Sequence, residues 1–374
     1  MFESFLLKMR RSPEPVKAAV AADLREIPQA DAETYRVIPI TGGASNRGYC
    51  RIVFSPDGDR GLKSLILMVL ADPDPHKGIE EVASYADQIQ ELPFVNVQKH
   101  LAAAGVAVPE LYYYNREHGL LYLEDFGDVL LRNVVQDQPE AEQRKWMEAA
   151  IDELVKLQIA GTRRPNPRFL GFVMRFDHEL LFWELNHFTD YAIRDRFPGA
   201  LIPEDENTIN RSFENITRRL LESPYWLQHR DWHMDNLMIR DGRIKVIDFQ
   251  DALMGPFTYD LACLLYDRDT SAILGDGLIE RLVAYYADRF QSASGGALDL
   301  KRYRETFDLC VLHRMFKVVG RFHYIHSVKK RPEFLVFLPP MHRALRKYLS
   351  SHQELSELHH IIAKYVKELE GVPS

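Results

Sequence analysis

The sequence predicts an α+β fold of two lobes, a small antiparallel sheet followed by a larger, mostly helical part, on three observations. Short β-type runs succeed one another between residues 35 and 123, separated by turns rich in Gly, Asp and Asn. Beyond the polar stretch EDFGD the apolar residues recur at helical spacing instead. Between residues 228 and 260 the chain reads QHRDWHMDNLMIRDGRIKVIDFQDALMGPFTYD, where acidic and amide groups are concentrated around strand signals. The expected lobes are residues 1–125 and 126–374.

The first thirty residues read as helix with polar breaks. Residues 35–40 and 48–54 read as strands joined by TGGASNR, in which Gly42, Gly43 and small polar residues present backbone N–H groups able to cover a phosphate. The same turn can equally close an ordinary hairpin, and a nucleophile elbow is excluded because no glycine follows Ser45 at the second position. After SPDGD, residues 64–70 form a third strand. Residues 93–104 form a helix ended near Gly105, and residues 111–114 and 120–123 are strands around the turn NREHG.

In the second part Trp146, Met147, Ala150, Ile151, Leu154 and Leu157 form the apolar stripe of a helix that stops before Gly161. HELLFWELNHFTDYAI, from His178, is a second amphipathic segment. Its Glu184, Asn186 and His187 read as a solvated face, with substrate contact as the alternative. From residue 300 to 348 and on to 369 the chain reads as helices with loops at 329–333 and at Pro339 and Pro340. Most His, Arg and Lys side chains there are expected at the surface.

A chain of 374 residues, 46% hydrophobic and 27% charged, with no low-complexity tract or repeat, is an ordinary globular composition with room for two lobes. The formal charge of -7 gives no reason to expect nucleic acid, and the basic pairs Arg163/Arg164 and Lys329/Lys330 are too short to argue for it. Cys50, Cys263 and Cys310 are widely spaced without a CxxC pattern, which favours core positions in a reducing, cytoplasmic setting. The start MFESFLLKMRRSPEP and the absence of an apolar run of about 18 residues predict neither export nor a membrane span.

The chemistry lies in residues 228–260. His229, Arg230 and Asp231 followed by Asn236 have the HRDxxxxN spacing of a kinase catalytic loop. Residues 237–239 and 244–247 read as a hairpin around Arg240, Asp241 and Gly242, which brings Asp248 back beside Asn236. A carboxylate must accept the proton of an attacking hydroxyl, and Mg²⁺ takes oxygen ligands from an amide and a second carboxylate. Asp231 is therefore the candidate base, and Asn236 and Asp248 are the candidate Mg²⁺ ligands. Asp235 and Asp241 are assigned to turn chemistry. The competing reading, a transition-metal hydrolase built from His229, Asp231 and His233, leaves the hairpin ending in DFQDA without a role.

HRDWHMDN followed by IDFQDALMGPFTYDLACLL resembles the aminoglycoside phosphotransferase and choline kinase superfamily, whose two-lobed fold is protein-kinase-like. GGASNRGYCRI, VPELY, LEDFGD, DFQDA with GPxxYDL, and HRMFKVVGRFHYI further resemble the bacterial anomeric kinases of N-acetylmuramic acid and N-acetylglucosamine, over about residues 35–348. The resemblance implies ATP and Mg²⁺ as cofactors, with Asp231, Asn236 and Asp248 in the roles above. It implies that Gly42, Gly43, Ala44, Ser45, Asn46 and Arg47 cover the phosphates and that backbone groups around Glu124 and Phe126 hold the adenine. His229 and Asp260 are expected to be structural, Asp260 as the buried carboxylate bracing the loop. Glu184, His187, Asp251 and Arg314 are the expected substrate contacts, with packing the alternative for Arg314, His313 and Lys317.

Two features depart from protein kinases. The third strand, SLILMVL, has Met68 near the position of the usual Lys, so the phosphate-gripping cation is expected from Arg47 or Lys63. Gly255 and Pro256 follow Asp248 too closely for a peptide-docking segment, which points to a small hydroxylated metabolite. The expected activity is phosphorylation of an amino sugar at its anomeric hydroxyl, by a monomer or weak homodimer with no nucleic-acid or membrane partner. The alternatives are an aminoglycoside kinase, a choline or homoserine kinase, and a pseudokinase-like nucleotide-binding module.

Overall fold

A computed structural model describes residues 1–40, 47–55, 61–72 and 91–370. Helices α1 (Phe2–Lys8) and α2 (Pro13–Asp23) lead into five antiparallel strands. These are β1 (Tyr35–Ile40), β2 (Arg47–Phe54), β3 (Ser64–Leu70), β4 (Leu111–Asn115) and β5 (Leu120–Glu124), in the order β1-β2-β3-β5-β4. Helix α3 (Pro93–Ala103) lies between β3 and β4 in the chain. Side chains alternate across the sheet, as the strand period of two requires. Cys50, Ile52, Leu65, Leu67, Val69 and Tyr122 point to one face and are buried with Leu6, Val16 and Val20 of the first two helices. Asp23 fastens this cover, accepting hydrogen bonds from Tyr122 Oη at 2.7 Å and Asn115 Nδ2 at 2.8 Å. Met68, Leu70, Leu121 and Leu123 point to the other face and join the main core.

The second part is helical, with two small sheets among the helices. Its elements are α4 (Leu131–Val135), α5 (Glu140–Arg163), α6 (Leu170–Val173), α7 (His178–His187), α8 (Pro203–Leu221), α9 (Tyr259–Tyr266) and α10 (Thr270–Ser294). They continue with α11 (Leu300–Ser327), α12 (Leu338–Ser351) and α13 (Ser356–Tyr365). β6 (Tyr225–Gln228) pairs with β9 (Leu253–Pro256), and β7 (Leu237–Arg240) pairs with β8 (Arg243–Val246). Asp241 and Gly242 turn the β7–β8 hairpin with φ of 52° and 68°, the doubly positive turn that Asp-Gly favours. No helix among the described residues is long and apolar enough to cross a membrane.

Two expected breaks are absent. Gly161 does not end α5 but lies inside it, because a Cβ there would come within 2.6 Å of Leu227 Cδ2 on β6. Pro339 and Pro340 open α12 rather than forming a loop, since a helix's first turn needs no N–H from them. The late helices also bury His323 and His342, where most basic side chains were expected at the surface, together with His313 and Arg314, for which packing was the alternative to substrate contact.

One close approach sets the site. At Gly320, α11 touches the backbone where α7 ends, and a Cβ would lie 2.2 Å from the His187 carbonyl carbon and 2.3 Å from its oxygen. That contact brings Lys317 of α11 to within 2.6 Å of Glu184 on α7, with Arg314 three residues before it on the same helix. Gly320→Ala must therefore push two helix backbones apart. It is expected to destabilise the protein by about 3 kcal/mol, read as a melting temperature lowered by several degrees.

Candidate active site

Asp260, at the start of α9, is fully buried beneath the loop that follows β6. Its carboxylate accepts hydrogen bonds from the backbone N–H of His229 at 2.5 Å and of Arg230 at 3.0 Å. Burial pushes the Asp260 carboxyl up to about 6, although nearby His229 and the two N–H groups favour its charged form. Arg230 has a φ of 75°, a conformation that costs a non-glycine residue about 1 kcal/mol or more. It is held there at both ends: its N–H by Asp260, and its guanidinium by Glu184 at 2.7 Å and the Phe176 ring at 5.6 Å.

His229 joins the loop to the hairpin. Its Nδ1 accepts the Asp231 N–H at 3.3 Å and its Nε2 donates to the Ile247 carbonyl at 2.9 Å, an arrangement that occupies both nitrogens and leaves none for a metal. The Ile247 N–H in turn donates to the Asn236 carbonyl at 3.1 Å, which places Asp248, one residue on, beside Asn236. Asn236 directs its amide nitrogen at the Asp231 carbonyl, 3.0 Å away, so its amide oxygen is turned the opposite way. The Asp248 carboxylate is 41% exposed and lies 3.4 Å from Arg47 Nη2, with Gln250 Nε2 donating to it at 3.2 Å. An amide oxygen and an accessible carboxylate fit a Mg²⁺ ion that takes its other ligands from water and nucleotide phosphates.

The Asp231 carboxylate is 43% exposed, and its Oδ1 accepts a hydrogen bond from Arg314 Nη1 at 2.8 Å. Loss of solvent pushes its carboxyl up, but Arg314, then Lys317 and His233, outweigh this and hold it well below the usual carboxylate range. Glu184, read as part of a solvated face, is instead in the interior between Arg230 at 2.7 Å and Lys317 at 2.6 Å. Burial works against its charge, yet Lys317, Arg230 and His313 bring its carboxyl down to about 2. Its place as an expected substrate contact is thus taken by a counter-ion role, since both cations already engage it. His187 is buried one turn further along α7 and bonds the Trp183 carbonyl at 3.0 Å. Asp251 accepts from Gln250 Nε2 at 2.6 Å, and burial pushes its carboxyl up.

On the sheet side only part of the expected set converges. Arg47, the first residue of β2, reaches Asp248. Lys63 stands at the far end of the sheet, its carbonyl bonded to the Phe54 N–H at 3.0 Å. The length of β2, roughly 23 Å at about 3.3 Å per residue, therefore separates Lys63 from Arg47, and of the two only Arg47 reaches the Asp248 carboxylate. Gly42, Gly43, Ala44, Ser45 and Asn46 lie outside the described residues. Glu124 closes β5, its N–H bonded to the Glu110 carbonyl at 2.9 Å, and Phe126 is buried with Lys245 5.1 Å from its ring.

Sequence reasoning missed several groups that shape the site. Arg51 grips the link after β5 through Asp125 at 2.7 Å and Asp128 at 2.8 Å; an Arg in a strand facing an Asp-rich link was the available signal. Asp235, assigned to a turn, pairs with Arg132 at 2.7 Å and Arg268 at 3.1 Å. Asp267, just past α9, holds Arg314 at 2.5 Å, and nothing local in the sequence marks it.

Fold and loop together define a protein-kinase-like phosphotransferase. The chain belongs to the phosphotransferase enzyme family, whose model matches residues 36–298. It is similar to the N-acetylmuramate/N-acetylglucosamine kinase of Pseudomonas aeruginosa, 30% identical over 348 residues that cover 92% of this chain and 91% of the relative. In fold it is similar to a choline kinase from Cryptosporidium parvum, with a TM-score of 0.59 and 12% identity over 95% of this chain and 100% of that one. It is likewise similar to an amicoumacin kinase in complex with AMP-PNP and Ca²⁺, with a TM-score of 0.57 and 15% identity over 89% and 96%. The protein is accordingly an enzyme that transfers phosphoryl groups to a hydroxyl acceptor, and membership of a kinase family implies ATP as donor.

If the Asp260 carboxylate shapes the loop, Asp260→Asn leaves one of two N–H groups facing an amide NH₂. The variant is expected to lose about 1–3 kcal/mol of stability and about 10²-fold in turnover. Thermal melts and steady-state kinetics on the same preparation check both.

Proposed function

We propose that the protein transfers the γ-phosphoryl group of ATP, carried as its Mg²⁺ complex, to the anomeric hydroxyl of N-acetylmuramate or N-acetylglucosamine, giving the sugar 1-phosphate. The observation that carries the phosphotransfer reading is the hydrogen-bonded unit of Asp231, Asn236 and the segment after β8 that carries Asp248. The sugar is supported by identity spread over nine-tenths of both chains with a kinase named for those two substrates.

In this reading Asp231 is the base. Its Oδ1 is engaged by Arg314, so the second oxygen receives the acceptor hydroxyl. A carboxylate held ionised so strongly aligns the hydroxyl and takes its proton late, as the bond to phosphorus forms. The anomeric hydroxyl, the most acidic on the sugar, suits such a weak base. Asn236 and Asp248 would hold Mg²⁺, which supplies neutralisation of the phosphate oxygens. Arg47 adds a cation at the same place, and the link after β5 borders the adenine. Residues 1–125 would act as the nucleotide lobe and 126–374 as the catalytic lobe, in a cytoplasmic monomer or weak homodimer.

Incubation with ATP, Mg²⁺ and either sugar should consume reducing sugar in step with ADP formation, with phosphorus NMR placing the phosphate on C1. Phosphate on C6, or turnover confined to an aminoglycoside or amino alcohol, would overturn the acceptor assignment and leave the kinase standing. Asp248→Ala should separately weaken nucleotide binding at least tenfold in the presence of Mg²⁺ and much less in its absence, as read by calorimetry.

A further inference from the structure

We infer that Arg314 is a positioning residue that aims the Asp231 carboxylate at the acceptor, rather than a contact for the substrate itself. The inference rests on the reading of Asp231 as base and concerns what orients it. An aspartate side chain rotates freely about two bonds, and 43% of this one faces solvent. Something must stop the rotation if one oxygen is to meet a hydroxyl reproducibly.

Arg314 supplies the stop through all three of its nitrogens. Nη1 donates to Asp231 Oδ1 at 2.8 Å and to the Arg230 carbonyl at 3.1 Å, so it holds both the side chain and the peptide before it. Nε and Nη2 donate to Asp267 Oδ2 at 2.8 and 2.5 Å. The guanidinium is 4% exposed, which leaves it no open face for a sugar.

Asp267 is fixed in its turn. Its other oxygen lies 3.4 Å from Arg268, Arg268 pairs with Asp235 at 3.1 Å, and Asp235 pairs with Arg132 on α4 at 2.7 Å. A planar fork can bridge three acceptors in fixed directions, and an ammonium group cannot do so. The orientation of the base is thereby set by α11 and the end of α9, elements far from it in sequence.

The test is a double-mutant cycle read on ADP formation from labelled ATP, with whichever acceptor supports turnover. Arg314→Gln should lower kcat about 10²-fold, the usual loss for a misplaced reacting group, while the KM for ATP stays within about twofold. In an Asp231→Asn background the same substitution should cost less than about threefold, because an effect exerted through Asp231 vanishes with its carboxylate. Arg314→Lys should recover only part of the loss. Should Arg314→Gln not fold, Asp267→Asn makes the same comparison with the guanidinium retained but released. Equal losses in both backgrounds, or a loss confined to KM for ATP, would show a merely structural role and overturn the inference. Full activity of Asp231→Asn alone would instead remove the base assignment on which it rests.

Discussion

The two hydrogen bonds from the His229 and Arg230 N–H groups to the buried Asp260 carboxylate are the contact on which the rest of the site depends. They hold Arg230 at positive φ, and that bend separates three consecutive side chains. His229 reaches the hairpin, Arg230 reaches Glu184, and Asp231 is left partly exposed within reach of α11. Without the buried acceptor the strained residue would relax toward a common conformation, and the links to Ile247 and Glu184 could not be kept together.

The site is also expensive in buried charge. Asp260, Glu184, Asp267 and Arg314 are all buried, and such groups are poor sources of net stability even when paired. Each is instead engaged by partners that fix a direction. Glu184 faces two cations from different elements, and Asp267 faces the guanidinium that meets Asp231. The apolar core and the Gly320 crossing provide the rigidity that keeps these charges in register.

The strands, the loop and the hairpin were legible because their signals are local. Short β-type runs bounded by turn residues mark residues 35–40 and 64–70, Asp-Gly marks the turn, and HRDxxxxN carries its chemistry in its own spacing. What escaped depends on partners distant in sequence. Glu184 looks solvated until α11 is laid against α7, Asp235 looks like a turn residue until Arg132 and Arg268 arrive, and Arg314 finds Asp231 eighty-three positions away. Lys63 illustrates the opposite case: its nearness to β3 in sequence hides its distance from Arg47 along the sheet. Gly161 and the prolines of α12 were read as breaks, whereas a close packing contact and a helix's first turn accommodate them.

In the proposed mechanism Asp231 acts in the chemical step and not in holding the nucleotide. The rate of ADP formation by Asp231→Asn at saturating ATP and acceptor, measured beside its ATP affinity, tests it most directly. A fall of about 10²- to 10⁴-fold in rate, with affinity close to that of the unaltered protein, is the result expected from removing a general base. Turnover like that of the unaltered protein would contradict it.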